Sequence, residues 1–505
     1  MLAATAARVP AREALVCGGE RLSYARYLEA VGAFARELLA LGCRGQRVAL
    51  VMGNGIDICI ATFAVHAAGA QAVPLNPLYT GRELGAILED ADVHALVHDV
   101  TAAAALEPLL PHLAITHRIV VGVEGGRRLS QPEVAAGAAE RAAAFAAAGE
   151  ATLPEPLPDP DSLATLQYTG GTTGRSKGVN MSHRAVAINI AQREALLPIA
   201  RDEERMLCCM PLFHTYAAAM CLHNAAHGGA TLVILPRFTP EALFELLTAE
   251  RITILAGSPS IFTALLKHEA FASTHFDTLR MSYSGSAALP EALLSRWESA
   301  TGAPVLEGYG QSESGPVLSF NPLHGVRKAA SVGLPLPQTQ IQIVDPVGGT
   351  EVYGPRRIGE IRARGPQVMV GYRNRPEETA QALRDGWLYT GDLGELDEQG
   401  YLYIRDRKKD MVLVSGFNVY PREVEEVLGM HPAVLEVAVI GVADEQRGAR
   451  IKAFVVFRPG QAATSEQLDA HCRANLAAYK VPREYVMLAQ LPKTGVGKID
   501  KKQLR

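Results

Sequence analysis

Short unbroken apolar runs alternate along the first part of the chain with longer stretches whose apolar positions return every three to four residues. RVALVM (Arg47 to Met52), AVPL, ALVHDV and TILAGSP are runs of the kind that parallel sheets bury on both faces. Tyr27, Leu28, Val31, Leu38 and Leu39 recur at helical spacing behind Ser23, a suitable N-cap, with Gly42 just past the end. ATFAVHAAGA, ELGAILEDA and PEALFELLTAERI repeat the helical pattern. The alternation predicts an α/β protein with parallel sheet. From about Ser331 the texture changes to short strands with turns, IQIVD, GEIRARG and GYLYIRD, which predict a β-rich subdomain. After RDRKKD, Arg405 to Asp410, α/β patterning returns in PREVEEVLGMHPAV, EVAVIGVA and IKAFVVFRPG, so a domain boundary is expected near that charged hexapeptide. Residues 133 to 149 are alanine-rich and predict a surface helix, and LPEPLPDPD after them predicts an extended connector.

Composition narrows the class. A chain of 505 residues exceeds the size at which one core keeps growing, so more than one domain is expected, and 48% apolar residues can fill their cores. The formal net charge of −4 offers no basic footprint for nucleic acid and no polybasic patch for anionic lipid. The seven cysteines show no CxxC spacing, and Cys208 and Cys209 sit in an apolar run, which reads as buried, reduced thiols of a cytoplasmic protein. Arg8, Pro10 and Arg12 interrupt any N-terminal apolar segment, and His223, Asn224 and His227 break the most apolar later stretch. Neither a signal peptide nor a membrane-spanning helix is expected.

Candidate chemistry begins at YTGGTTGRSKG, Tyr168 to Gly178. Glycines let backbone N–H groups close around oxyanions, threonine hydroxyls add donors and a lysine adds charge, so the stretch suits phosphate. It is not a Walker A loop, because Gly178 follows Lys177 where Ser or Thr is required, and it does not fit GxGxxG. Its company is more specific. MPLFHTY (Met210 to Tyr216), GSAAL (Gly285 to Leu289), EGYGQSES (Glu307 to Ser314), YTGDL (Tyr389 to Leu393), DRKKDMVLVSGFNVYP (Asp406 to Pro421) and PKTGVGKIDKKQLR (Pro492 to Arg505) follow in order. Together these motifs resemble the adenylate-forming superfamily of acyl-CoA synthetases, aryl-CoA ligases, luciferases and peptide-synthetase adenylation domains. LQYTGGTTG, LEGYG and GPQVM-GY look most like bacterial long-chain fatty-acid–CoA ligases.

The resemblance implies an α/β fold: a large N-terminal domain of two α/β subdomains and a β-barrel (residues 1–404), a hinge (405–410) and a small mobile α+β lid (411–505). It implies a two-step reaction in which ATP activates a carboxylic acid as its adenylate and CoA then takes the acyl group. By resemblance Thr169, Gly170, Gly171, Thr172, Thr173 and Lys177 hold the outer phosphates, and Glu313 holds Mg2+, a hard cation suited to carboxylate oxygen. Ser312 stands where the family usually has threonine, which keeps the hydroxyl. Tyr309, with Gly310, Gln311 and the thin backbone of Ser286, Ala287 and Ala288, is expected at the adenine, and Asp392 with Arg407 at the ribose. His214 and Thr215 are expected beside the substrate carboxylate, Lys498 at the α-phosphate, Lys409 at the pivot of the lid, and Gly416 and Phe417 on the thiol's route. Gly285, Gly308 and Gly310 are expected in the substrate pocket, with Gly308 and Gly310 leaving room for a long apolar tail, and the absence of an arginine at Gly308 argues against a diacid. A medium- to long-chain fatty acid is the expected substrate. An aryl- or cinnamoyl-type CoA ligase and an acyl-AMP ligase loading a carrier protein remain alternatives. No nucleic-acid partner is expected; a lipid substrate allows peripheral membrane contact, and monomer and homodimer are both open.

Overall fold

The computed structural model describes residues 1–122, 127–131, 153–169, 176–414, 417–444, 448–494 and 499–504. The alanine-rich helix expected over 133 to 149 lies outside the described residues. Packing divides the chain into two units: one of residues 1–329, 335–339 and 364–388, the other of 330–334, 340–363 and 389–505.

The first unit is built on two mostly parallel sheets. One runs, in spatial order, through Gly371–Tyr372, Lys177–Ser182, Leu163–Thr169, Gln71–Leu75, Arg47–Val51, Ala95–His98 and His117–Val120. Along Arg47–Val51 the side chains alternate between two cores: Val48 and Leu50 join one cluster, Ala49 and Val51 another. Both faces are therefore buried, as its unbroken apolar run requires. The larger cluster also contains Met206, Leu207, Leu232 and Leu255 from the other sheet, so the two sheets share one core. The helix Tyr24–Ala40 within it starts at Ser23, whose hydroxyl accepts from Arg26 N, and Gly42 beyond its end has φ +73°.

The second sheet matters most for function. Its central strands run in the order Val305–Gly310, Met281–Ser284, Ile254–Gly257, Arg205–Cys208 and Thr231–Ile234, each parallel to its neighbour. Helices Pro240–Ala249, Pro259–Lys267 and Glu291–Thr301 alternate with them along the chain. Parallel strands joined this way put their carboxyl ends on one edge, where open α/β sheets hold ligands. Cys208 and Cys209 are buried; a hydrogen bond with Cys221 and then burial push the Cys208 thiol up, and burial pushes the Cys209 thiol up.

In the second unit the strands Gln340–Val344, Gly359–Arg364, Trp387–Leu396 and Leu402–Arg407 adjoin in that order. Helices Pro421–Gly429 and Ser465–Asn475 cover a three-stranded sheet of Val434–Asp444, Gly448–Phe457 and Glu484–Met487 around Val424, Leu428, Val439, Val455 and Leu468. The β-rich texture followed by returning α/β texture is thus realised in one packing unit. Among the described residues no helix is long and apolar enough to cross a membrane; the apolar stretch from Tyr216 breaks into Thr215–Ala217, a π-helical turn Ala218–His223 and Asn224–Gly228.

Candidate active site

Thr169 ends one strand and Lys177 begins the next, and the two residues pair across an antiparallel hairpin, with Thr169 Oγ1 donating to the Lys177 carbonyl at 3.4 Å. The glycine-rich stretch therefore joins two strands that pair with each other. Gly170, Gly171, Thr172 and Thr173 lie outside the described residues. Gly178 is required by close approach, since a Cβ there would stand 2.8 Å from Leu166 Cδ1 and 3.1 Å from Tyr168 Cζ.

Lys177 Nζ lies 5.0 Å from the centre of the Tyr372 ring, on its face, and the Tyr372 hydroxyl donates to Glu313 Oε1 at 2.8 Å. One tyrosine thus brings together the lysine and the glutamate that the motifs single out. Burial, followed by the Glu313 charge, pushes the Tyr372 hydroxyl up, so it stays a donor. Glu313 sits in the single turn Ser312–Ser314, only 9% exposed. Gln311 N donates to Ser314 Oγ at 3.1 Å, which fixes the turn, and Met369 N donates to the Glu313 carbonyl at 2.9 Å. Tyr372 carries no role in the sequence reading; its only trace there is the GY that closes GPQVM-GY.

Tyr309 occupies the strand Val305–Gly310 and pairs with Ser319, and a bulge follows it at Gly310. The segment Ser286-Ala287-Ala288 leaves the carboxyl end of the adjacent strand, and Ser286 has φ +70°, a conformation unusual for a residue with a Cβ and common at ligand-holding turns. Glu307, buried on the Tyr309 strand, accepts from Leu289 N through Oε1 at 2.9 Å and so clamps that segment to its neighbour. Sequence reasoning missed this clamp, because Glu307 stands in the motif with nothing to mark its partner.

His214 caps the short helix Thr215–Ala217: its Nδ1 accepts from Tyr216 N at 3.2 Å, so Nδ1 carries no proton. Asn54 holds the preceding loop from both ends, donating to the carbonyls of Met210 and Leu235 and accepting from Leu212 N at 2.8 Å. The loops bearing His214, Ser286 and Glu313 follow the ends of strands Arg205–Cys208, Met281–Ser284 and Val305–Gly310, on the ligand-holding edge of one sheet.

The open space expected at Gly308 and Gly310 is a correction. A Cβ on Gly308 would stand 2.2 Å from the Phe320 ring, one on Gly285 2.7 Å from the Tyr216 ring, and one on Gly310 1.8 Å from the Pro316 carbonyl oxygen. Neighbouring rings and backbone fill these positions, so each glycine permits close packing instead of vacancy.

In the second unit Asp392 and Arg407 face each other across paired strands, Oδ1 to Nε 3.5 Å, with Asp392 buried and Arg407 largely exposed. Lys408 Nζ pairs with Glu360 at 2.7 Å, and Asp406 accepts from the backbone N–H of both Arg407 and Arg422. Lys409 lies in the turn after Leu402–Arg407, where burial and then the Arg407 charge hold its ammonium below the usual lysine range. Gly416 and Lys498 lie outside the described residues, as does the side chain of Phe417.

The chain matches the model of the AMP-binding enzyme over residues 2–373 and that of the AMP-binding enzyme C-terminal domain over 423–498. It is 37% identical to a long-chain-fatty-acid–CoA ligase of Bacillus subtilis (strain 168), covering 100% of this chain and 93% of that one, and 39% identical to one from Yersinia pestis, covering 99% and 92%. Among solved structures it resembles ATP-bound MatB from Rhodopseudomonas palustris (TM-score 0.89, 31% identity, 98% of this chain and 95% of that one). It also resembles the anthranilate CoA ligase AuaEII in complex with anthranoyl-AMP (TM-score 0.90, 27% identity, 100% and 95%). With both family models matched in order on a mixed α/β chain whose His214, Ser286 and Glu313 loops lie at the carboxyl edge of a parallel sheet, this protein belongs to the AMP-binding enzymes.

Proposed function

We propose that the protein is a fatty acyl-CoA synthetase that converts ATP, a medium- to long-chain fatty acid and CoA into acyl-CoA, AMP and diphosphate. The observation that carries the adenylating step is the buried Glu313 carboxylate, hydrogen-bonded by Tyr372, with Lys177 over the same ring. The choice of acid is supported by whole-chain similarity to long-chain-fatty-acid–CoA ligases.

A carboxylate oxygen attacks the α-phosphorus and the bond to diphosphate breaks; the CoA sulfur then attacks the acyl carbon, its proton is lost, and AMP leaves with the oxygen that made the adenylate. Phosphoryl displacement of this kind needs positioning and charge neutralisation more than covalent help. Lys177 and the loop from Thr169 cradle the outer phosphates. A divalent cation fits Glu313, because its buried carboxylate, oriented by the Tyr372 hydroxyl, is a hard oxygen donor. Among the described residues no three His, Cys, Asp or Glu side chains stand together as a cage, so Mg2+ would rest on Glu313 and on substrate oxygens. Bound there it supplies neutralising charge to the phosphates. His214 orients the substrate carboxylate, Tyr309 and the backbone at Ser286–Ala288 enclose adenine, and Asp392 with Arg407 takes the ribose hydroxyls. Residues 411–505 act as a lid pivoting at Lys409: Lys498 serves adenylation, and Gly416 and Phe417 line the thiol's path afterwards.

The likeness to an anthranilate CoA ligase favours a second reading, an aryl-CoA ligase. Diphosphate release with ATP, Mg2+ and a panel of straight-chain and aromatic acids, with and without CoA, decides between them. Release and thioester with straight-chain acids support the proposal. Turnover of aromatic acids alone replaces it with the second reading, and adenylate that accumulates without passing to CoA points to a carrier-protein acceptor.

A further inference from the structure

Two glycines near the carboxyl ends of adjacent parallel strands carry aromatic rings where their own side chains would stand. Phe320 lies over Gly308, its cross-strand partner, and Tyr216 lies over Gly285. Tyr283 precedes Gly285 by two residues and, by strand alternation, shares its face; its ring meets Phe320 edge-on with centroids 6.1 Å apart. Tyr216, Tyr283 and Phe320 are thus buried rings beside Gly285 and Gly308, exposed by 8%, 0% and 2%.

The rings are held differently. The Tyr216 hydroxyl donates to the Gly257 carbonyl at 3.2 Å in a buried setting, so moving Tyr216 strands a polar group. Phe320 has no polar anchor, and turning its ring breaks no hydrogen bond. Gly308 beneath it has no Cβ to limit that turn from its own side. Of the aromatic pair over the two glycines, Phe320 is the one whose movement breaks no hydrogen bond.

We propose that Phe320 sets the length of acyl tail the site accepts: shorter acids fit in front of its ring, and longer ones bind only with the ring turned away from Gly308. This rests on the fatty acyl-CoA synthetase reading above and names the residue that decides chain length within it. A Phe320 that merely packs the core would alter stability and leave the preference among acids unchanged.

The test is kcat/KM for saturated acids of increasing length, with ATP, Mg2+ and CoA, on the full-length chain, with a melting curve for each variant. Phe320→Ala should raise the ratio of kcat/KM for a sixteen-carbon over an eight-carbon acid roughly tenfold. Phe320→Leu, which keeps an apolar side chain for variants that must fold, should raise it less, and Phe320→Trp should lower it. Gly308→Ala, whose Cβ would press the ring away from Gly308, should raise the ratio, and in a chain that already carries Phe320→Ala it should add little. A ratio unchanged in Phe320→Leu and Phe320→Ala, or an equal loss for all acids, overturns the inference while leaving the synthetase reading intact. A wild-type enzyme that activates no straight-chain acid overturns both.

Discussion

Glu313 is useful because of what surrounds it. Its carboxylate is nearly out of water and has one tyrosine donor, so a charge there is held in place and little screened. Glu313→Gln preserves shape and can still accept from Tyr372, so it isolates the charge. It should lower acid-dependent diphosphate release about 100- to 1000-fold, an effect on the order of 3 to 4 kcal/mol, with little change in melting temperature. Tyr372→Phe removes one neutral donor to a charged acceptor and should cost about 2 kcal/mol, read as a higher KM for MgATP. Turnover of Glu313→Gln at the wild-type rate under limiting Mg2+ would remove the assignment. The motif made Glu313 legible in the chain; Tyr372 was not, because a hydrogen bond between residues 59 positions apart leaves no periodic trace. The same limit hid the clamp from Glu307 to Leu289.

Three helices of the first unit meet at histidines. His66 on Ile56–Ala67 meets His183, at the start of His183–Leu196, edge-on with centroids 5.4 Å apart, and His223, at the end of the π-helical turn, at a tilt with centroids 6.2 Å apart. Nε2 of both His183 and His223 is buried without a partner. Burial first, with neighbouring charge adding to it for His66 and His223, pushes these imidazoles down, His223 to about 3. A base depressed in the fold stays neutral while the unfolded chain takes up a proton below about 6.5, so stability is lost as pH falls from there toward 3. At pH 5 His223 alone should cost about 2 kcal/mol relative to pH 7. His223→Phe, facing Phe63 already, should flatten the fall in melting temperature between pH 7 and pH 5; an unchanged slope would contradict this account.

At the same scale, elements with a strong local signal were legible before any coordinates. Ser23, the helical spacing behind it and Gly42 frame a helix that runs Tyr24–Ala40, and RVALVM becomes Arg47–Val51. The strand Lys177–Ser182 was not legible, because KGVNMS carries no clear alternation and its place depends on pairing back to Leu163–Thr169. The space beside Gly308 was misread for a related reason. A glycine announces a missing side chain, and what fills the gap, here Phe320, is decided across the sheet.

At the scale of the molecule, the chain's two packing units each hold part of the expected machinery: Lys177, His214, Tyr309 and Glu313 in one, Asp392, Arg407 and Lys409 in the other. A lid that serves two successive steps must present different residues to one substrate. Lys498→Ala should therefore cripple adenylate formation by about 100-fold or more while still converting supplied acyl adenylate to thioester. Lys409→Pro, which fixes φ at the proposed pivot, should spare adenylation and slow thioester formation. Single-turnover rates of the separate half-reactions check both, and equal loss of both steps in both variants would refute the alternating lid.

Adenylation as proposed activates the acid through its own oxygen on the α-phosphorus of ATP. The most direct measurement follows a heavy-oxygen label in the carboxylate of a straight-chain fatty acid through turnover with unlabelled ATP and CoA, with AMP and diphosphate analysed by mass spectrometry. The account predicts one labelled oxygen in AMP for each thioester formed and none in diphosphate; label absent from AMP, or present in a phosphate product, would contradict it.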